Sequence, residues 1–210
     1  MQPFTRKEQA AIEKAITRAE AKTSGEIVVV VTGSSDGYRS FAMLWAALLA
    51  LAVPVPLIWA TKWPVEHIYL LQLAAFLFFG MLFQWEPVRF ALVPKLVMRA
   101  RAHQKAIEQF LAQSLHTTKG RTGVLIFVSF AERYAEVIAD DGIYRKVRPI
   151  VWEEVIAELT SHLARGTRDQ GFITAIGICG KVLAEHFPPG HADKDELPNH
   201  LIVLDTYGGA

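Results

Sequence analysis

Residues 41–60 read FAMLWAALLALAVPVPLIWA and residues 68–85 read IYLLQLAAFLFFGMLFQW, two apolar runs of twenty and eighteen residues. A bilayer core about 30 Å thick needs roughly 20 apolar residues at 1.5 Å per residue, so each run is long enough to span it as a helix. Neither run carries a formal charge, and Gln72 is the interior amide of the second. Only Thr61-Lys62-Trp63-Pro64-Val65-Glu66-His67 joins them, which is a turn. The pattern predicts a two-helix membrane hairpin with both flanking parts of the chain on one side. A pair of buried core helices is the competing reading. Pro54 and Pro56 weigh against it, because prolines inside a soluble helix remove donors that neighbouring helices in a bilayer re-satisfy. Trp45, Trp59, Trp63, Tyr69 and Trp85 also cluster toward the run ends, as interfacial aromatics do.

Working outward, the flanks set the orientation. Arg39, Arg89, Lys95, Arg99, Arg101 and Lys105 lie on the terminal side of the hairpin, against Lys62 alone in its turn. By the positive-inside rule both termini, and the folded part, are expected in the cytoplasm of a cell bounded by this membrane. The start of the chain, Met1-Gln2-Pro3-Phe4-Thr5-Arg6-Lys7-Glu8, is polar and reads as no secretory signal. The formal net charge of +1 gives no reason to expect nucleic acid as a partner. Cys179 is the single cysteine, so no intrachain disulfide is expected.

Without residues 41–85 about 160 residues remain, enough for one mixed α/β core. Thr5 and Glu8 have the capping-box spacing, and Ile12, Ile16 and Ala19 form a helical stripe ending at Ser24-Gly25. Glu26-Ile27-Val28-Val29-Val30-Val31-Thr32 is a strand apolar enough to be buried on both faces. After the hairpin a helix is expected from about Lys95 to Leu115, with Ile107, Phe110, Leu111 and Leu115 inward. Thr122 to Ser129 reads as a second central strand, and Tyr134 to Asp140 as its hairpin partner across the Ala131-Glu132-Arg133 corner. Pro149–Leu163 is a helix whose inward face is Trp152, Val155, Ile156, Leu159 and Leu163. Thr167 and Gln170 repeat the capping-box spacing for a last helix to about His186, with Gly177 and Gly180 expected to approach the sheet. Leu201 to Leu204 is a short edge strand. Strand, crossover helix and strand make a parallel pair. The organisation expected is one discontinuous α/β domain of residues 1–40 and 86–190, the hairpin at 41–85, and a polar tail at 191–210. Ligands of open α/β sheets bind beyond the carboxyl ends of the strands, which here puts Asp36, Glu132 and Arg133 in view near the hairpin.

Several of these stretches together resemble the TPM domain. They are the first helix with Thr23-Ser24-Gly25-Glu26-Ile27-Val28-Val29-Val30, the later Thr122-Gly123-Val124-Leu125-Ile126-Phe127-Val128, the Glu132-Arg133 corner and the two closing helices. The resemblance covers roughly residues 1–37 and 95–188, carried by order and spacing rather than by one motif. It implies a TPM-type α/β sandwich, a small mixed sheet flanked by helices, with the transmembrane hairpin inserted after the first strand. It further implies a membrane-inserted bacterial member of a group known for phosphatase activity or divalent-cation binding. Typical members carry an Asn-rich lead into the second strand and a glycine-rich segment after the third. This chain has Gly120-Arg121-Thr122 and Asp140-Asp141-Gly142 in those places.

The candidate chemistry is sparse. Glu132 and Arg133 are the candidate catalytic or anion-binding pair, or else a solvated hairpin corner. Asp140 and Asp141 are candidate ligands for Ca²⁺ or Mg²⁺, or else an ordinary turn. His191, Asp193, Asp195, Glu196 and His200 lack zinc-like spacing and read as a solvated tail. Cys179 reads as core packing, and Ser34 and Ser35 have no nucleophile-elbow context. The glycines form no P-loop or dinucleotide fingerprint. Gln72 is expected to bond across to the first span. Without charged residues in the spans, transport is disfavoured. Three functional readings stand: a membrane-anchored module that binds or assists other membrane proteins at the cytoplasmic face of a bacterial inner membrane, a membrane-bound, divalent-metal-assisted phosphatase, and an oligomeric membrane protein whose hairpins pack together.

Overall fold

A computed structural model of the 210-residue chain describes residues 4–189 and 200–204. In chain order the elements begin α1 (Arg6–Glu20), β1 (Glu26–Thr32), α2 (Arg39–Ala52), α3 (Pro54–Ala60), α4 (Val65–Leu82), α5 (Glu86–Ala91) and α6 (Lys95–Ala112). They continue with β2 (Gly123–Ser129), β3 (Tyr134–Ala139), α7 (Asp141–Tyr144), α8 (Pro149–Ala164), α9 (Arg168–His186) and β4 (Leu201–Leu204). Two compact units result, one of Met1–Ser35 with Arg99–Ala210, the other of Asp36–Met98.

The first unit is a mixed four-stranded sheet in the order β3-β2-β1-β4. β1 pairs parallel with β2, from Glu26 opposite Gly123 to Thr32 opposite Ser129, and parallel with β4; β3 pairs antiparallel with β2. Every residue of β1 and β2 is buried. Because side chains alternate across a strand, Ile27, Val29 and Val31 join one apolar cluster with Val124, Ile126 and Val128, while Val28 and Val30 join another with Leu125 and Phe127. Each fully buried Val or Ile contributes roughly 1.5–3 kcal/mol relative to exposure. The first cluster is closed by Ile12 and Ile16 of α1, Trp152, Val155 and Leu159 of α8, and the buried stripe of α9.

The second face is covered by α6, with half of the stripe expected: Phe110 and Leu115 are buried in its cluster, while Ile107 and Leu111 are exposed and Ala102 and Ala106 take their place against the sheet. Small residues at i and i+4 let the helix lie close to the strands, so their packing outweighs the larger side chains one position on. The closing helix brings a second difference. Thr167 makes no cap bond to the start of α9; its hydroxyl donates to the His162 carbonyl at 3.3 Å. Gly180 approaches α1 rather than the sheet, since a Cβ there would stand 2.6 Å from the Ala19 Cβ, and Gly177 has open space.

The capping box of α1 forms as its spacing predicts: Glu8 N donates to Thr5 Oγ1 at 3.2 Å and Thr5 N donates to Glu8 Oε2 at 2.7 Å. Arg168, at the start of α9, donates from Nε to Glu8 Oε1 at 2.9 Å and lies 4.4 Å from the Phe4 ring centroid. Hydrogen bonds from Arg168 and Thr5 hold the Glu8 carboxyl down at about 2, from an ordinary 4.5.

In the second unit, α2 and α3 break at Val53, where Pro54 opens the new helix without an N–H to continue the old one. Arg39–Ala60 and Val65–Leu82 are both long and apolar enough to cross a membrane, by length and composition. α4 starts three residues before the expected 68 because Pro64, in extended backbone, fixes its entry. Ala42, Ala46 and Phe83 pack together with Phe76 and Phe79 around them. Gln72 makes no bond to α2; it faces a groove of about 310 Å³ also lined by Ala47 and Ala50, which offer no side-chain polar atom.

Two outcomes are expected from these contacts. Gly180→Val lowers stability by about 1–3 kcal/mol through overpacking against Ala19, and Ala19→Gly restores part of it, read by thermal unfolding of single and double variants. The Glu8 contribution is present above pH 4.5, its unfolded-state value, and is lost as pH falls toward 2. The stability gap between the wild type and Glu8→Gln therefore closes over that window, and a constant gap would contradict it.

Candidate functional site

The carboxyl ends of β1 and β2 extend their pairing past the strands: Phe130 N donates to Thr32 O at 3.1 Å and Ala131 N to Gly33 O at 2.9 Å. This continuation sets Glu132 against the loop after β1. Its Oε1 accepts from Ser35 N at 2.9 Å, and its Oε2 accepts from the Ser129 hydroxyl. Glu132 is thus a buried carboxylate that stitches residues 97 positions apart. Thr32 Oγ1 donates to Ser34 O at 2.9 Å. The hydroxyl oxygens of Ser34 and Ser35 are buried and, among the described residues, have no hydrogen-bond partner. Asp36 accepts from Tyr38 N at 3.1 Å.

Arg133 closes the β2–β3 hairpin with φ of 49°, a left-handed backbone at a corner where glycine or asparagine is usual. Its guanidinium is exposed and meets no carboxylate among the described residues. Beside it opens a cavity of about 500 Å³ between the start of β3 and the end of α8, lined by Ser129, Phe130, Tyr134, Thr160 and Leu163 among others. Glu132 and Arg133, adjacent in sequence, therefore divide their work: the carboxylate turns inward to hold the loop, and the arginine is exposed and lines the cavity.

Asp140 and Asp141 lie at the other end of the sheet, since β3 runs back from Tyr134 opposite Ser129 to Ala139 opposite Val124. Five register steps at about 3.4 Å separate the two ends by roughly 17 Å, so the two candidate pairs do not converge. Asp140 caps α7, accepting from Asp141 N at 2.7 Å, with Arg121 Nε 3.5 Å from its other oxygen. Asp141 pairs with Arg145 one turn on. Gly142 completes the segment because a Cβ there would stand 2.5 Å from the Gly120 carbonyl oxygen. The segment read as a turn is a helix start docked on the 118–121 turn.

Among the described residues no group of three or more His, Cys, Asp or Glu side chains is arranged to hold a metal ion. Hydroxyl and carboxylate oxygens are the right donors for Ca²⁺ or Mg²⁺, but Glu132 is a single carboxylate already accepting two hydrogen bonds, which is not a ligand set for either. His191, Asp193, Asp195 and Glu196 lie outside the described residues. Two contacts had no signal in the linear sequence. One is the Ser35–Glu132 stitch; the other is a cluster in which His103 Nδ1 lies 2.9 Å from Glu136, which also accepts from the Tyr134 hydroxyl at 3.0 Å. Burial, and then the Glu136 carboxylate, push the Tyr134 phenol upward. Cys179 is fully buried, and burial pushes its thiol up to about 12.

Glu132→Ala is expected to cost about 2–4 kcal/mol, because it leaves two buried donors without acceptors, while Glu132→Gln keeps one acceptor and costs less. Thermal unfolding orders the three proteins. Cys179 is expected to ignore an aromatic disulfide reagent at pH 8 until denaturant is added; rapid labelling of the folded protein would contradict a core role.

Comparison with known proteins follows the same lines. Residues 86–182 match the family model described as the TPM domain. The NMR structure of BA42 protein from the psychrophilic bacterium Bizionia argentinensis is similar to this chain with a TM-score of 0.62 at 22% identity, over 97% of this chain and 98% of that one. At that identity the likeness speaks for the fold. No curated protein matches the chain. The family match rests on residues 86–182, the stretch on which the sheet's β2–β3 hairpin and most of the helices around it lie.

Proposed function

We propose that this protein is a membrane-anchored binding or accessory module of a bacterial inner membrane, its TPM domain on the cytoplasmic side with both termini. The observation that carries the reading is the inside-out packing of the second unit. Its small Ala42 and Ala46 are buried, while Trp59 is 89% and Met81 81% exposed, and only 17% and 6% of the two apolar helical windows are buried. A soluble core helix of the same length hides its large side chains; a spanning helix presents them to lipid and keeps small residues at the helix contact. The basic residues Arg39, Arg89, Lys95, Arg99, Arg101 and Lys105 support the orientation. Other membrane proteins are the partners this placement favours.

The second reading, metal-assisted phosphoester hydrolysis through Glu132, Asp140 or Asp141, asks for metals or several cationic groups around one transferred phosphoryl. The separation of the two acidic sites, and the structural use of Asp140 as a helix cap, weigh toward binding. Alkaline carbonate is expected to leave the protein in the membrane pellet, and a reporter fused after Ala210 to be active only as a cytoplasmic form. Release into the supernatant would overturn the anchor. With Mg²⁺, Mn²⁺ or Ca²⁺, turnover of a generic phosphoester is expected to be the same for the wild type and Asp141→Asn; a loss confined to the variant would favour the hydrolase.

A further inference from the structure

We infer that the cavity beside Arg133 binds a small organic monocarboxylate with an apolar body. The inference deepens the binding-module reading and rests on it. A volume of about 500 Å³ falls within the range of small-molecule sites, roughly 300–1,000 Å³. Its walls are mainly apolar, from Val128, Phe130, Ala135 and Leu163. The lining also includes Ser129, Tyr134 and Thr160, whose hydroxyls each already donate within the protein: Ser129 to Glu132, Tyr134 to Glu136, and Thr160 to the Ile156 carbonyl. Arg133 is the lining side chain whose donors have no acceptor among the described residues. A guanidinium presents two parallel N–H donors that match a carboxylate fork.

Charge decides the class of anion. Arg133 is the one cation among the lining residues and meets one negative charge, and the next residue, Glu132, is itself an acid, so a phosphate monoester would bring a second charge with no second cation in the lining to meet it. The backbone adds an independent observation. Arg133 occupies a left-handed position that glycine would take without strain, and strain kept at a residue lining a cavity points to use of the side chain.

The experiment uses the full chain in nanodiscs of uncharged lipid, titrated calorimetrically with 3-phenylpropanoate, 3-phenylpropan-1-ol and inorganic phosphate, with empty nanodiscs subtracted. The acid is expected to bind saturably, the alcohol about tenfold more weakly, and phosphate not at all. Arg133→Gly is expected to weaken the acid about tenfold while its melting temperature stays equal or rises, which separates lost recognition from lost folding. Ala164→Phe, which fills the cavity from the exposed end of α8, is expected to abolish binding. No saturable binding of the acid, equal binding by Arg133→Gly, or equal binding of acid and alcohol would overturn the site. Carbonate extraction of the native membranes from which the protein is purified keeps the two ideas apart. Protein that binds the acid but washes off the membrane overturns the anchor alone, and protein that stays but binds nothing overturns the site alone.

Discussion

The parallel pairing of β1 with β2 places seven consecutive registers of largely β-branched residues under cover on both faces. A strand pair of that kind is stable only inside a layered fold, because either face left to water would forfeit its hydrophobic contribution. The arrangement of the first unit follows from this requirement. α1, α8 and α9 close one face and α6 the other, while β3 and β4 take the edges. The same pairing, carried past the strand ends by two backbone hydrogen bonds, puts Glu132 within reach of Ser35. The site geometry is thus a by-product of the sheet register.

Much of this was legible from the residues. Apolar runs such as Ile27 to Val31 and Val124 to Val128 have no stable exposed alternative, so their burial and parallel pairing follow from composition and the length of the crossover. The Thr5–Glu8 capping box is a local geometry and formed as read. α6 was harder: Ala102 and Ala106 carry a weak hydrophobic signal, and the closeness they permit shows only once the sheet is in place. Thr167 has the residue type of a cap but is diverted by His162, a neighbour five residues back. Glu132 and Arg133 stood out as a pair, yet that one turns in and the other out depends on a loop almost a hundred positions away.

The Asp140-Asp141-Gly142 segment shows how a motif with several meanings resolves. Paired carboxylates before a glycine serve turns, cation loops and helix starts alike. What selects among them is the neighbour: the Gly120 and Arg121 carbonyls press on Gly142, and Arg121 faces Asp140. The stretch before β2, residues 120–121, and the stretch after β3, residues 140–142, are thus in contact, and each fixes the conformation of the other.

Glu26 and its register partner Gly123 are separated by 97 positions along the chain. At the usual synthesis rate of about 5–20 residues per second, β1, apolar along most of its length, emerges roughly 5–20 seconds before the strand that will cover its edge. Both long apolar helices are translated in that interval. The β1–β2 seam can therefore close only after both of those helices have left the ribosome.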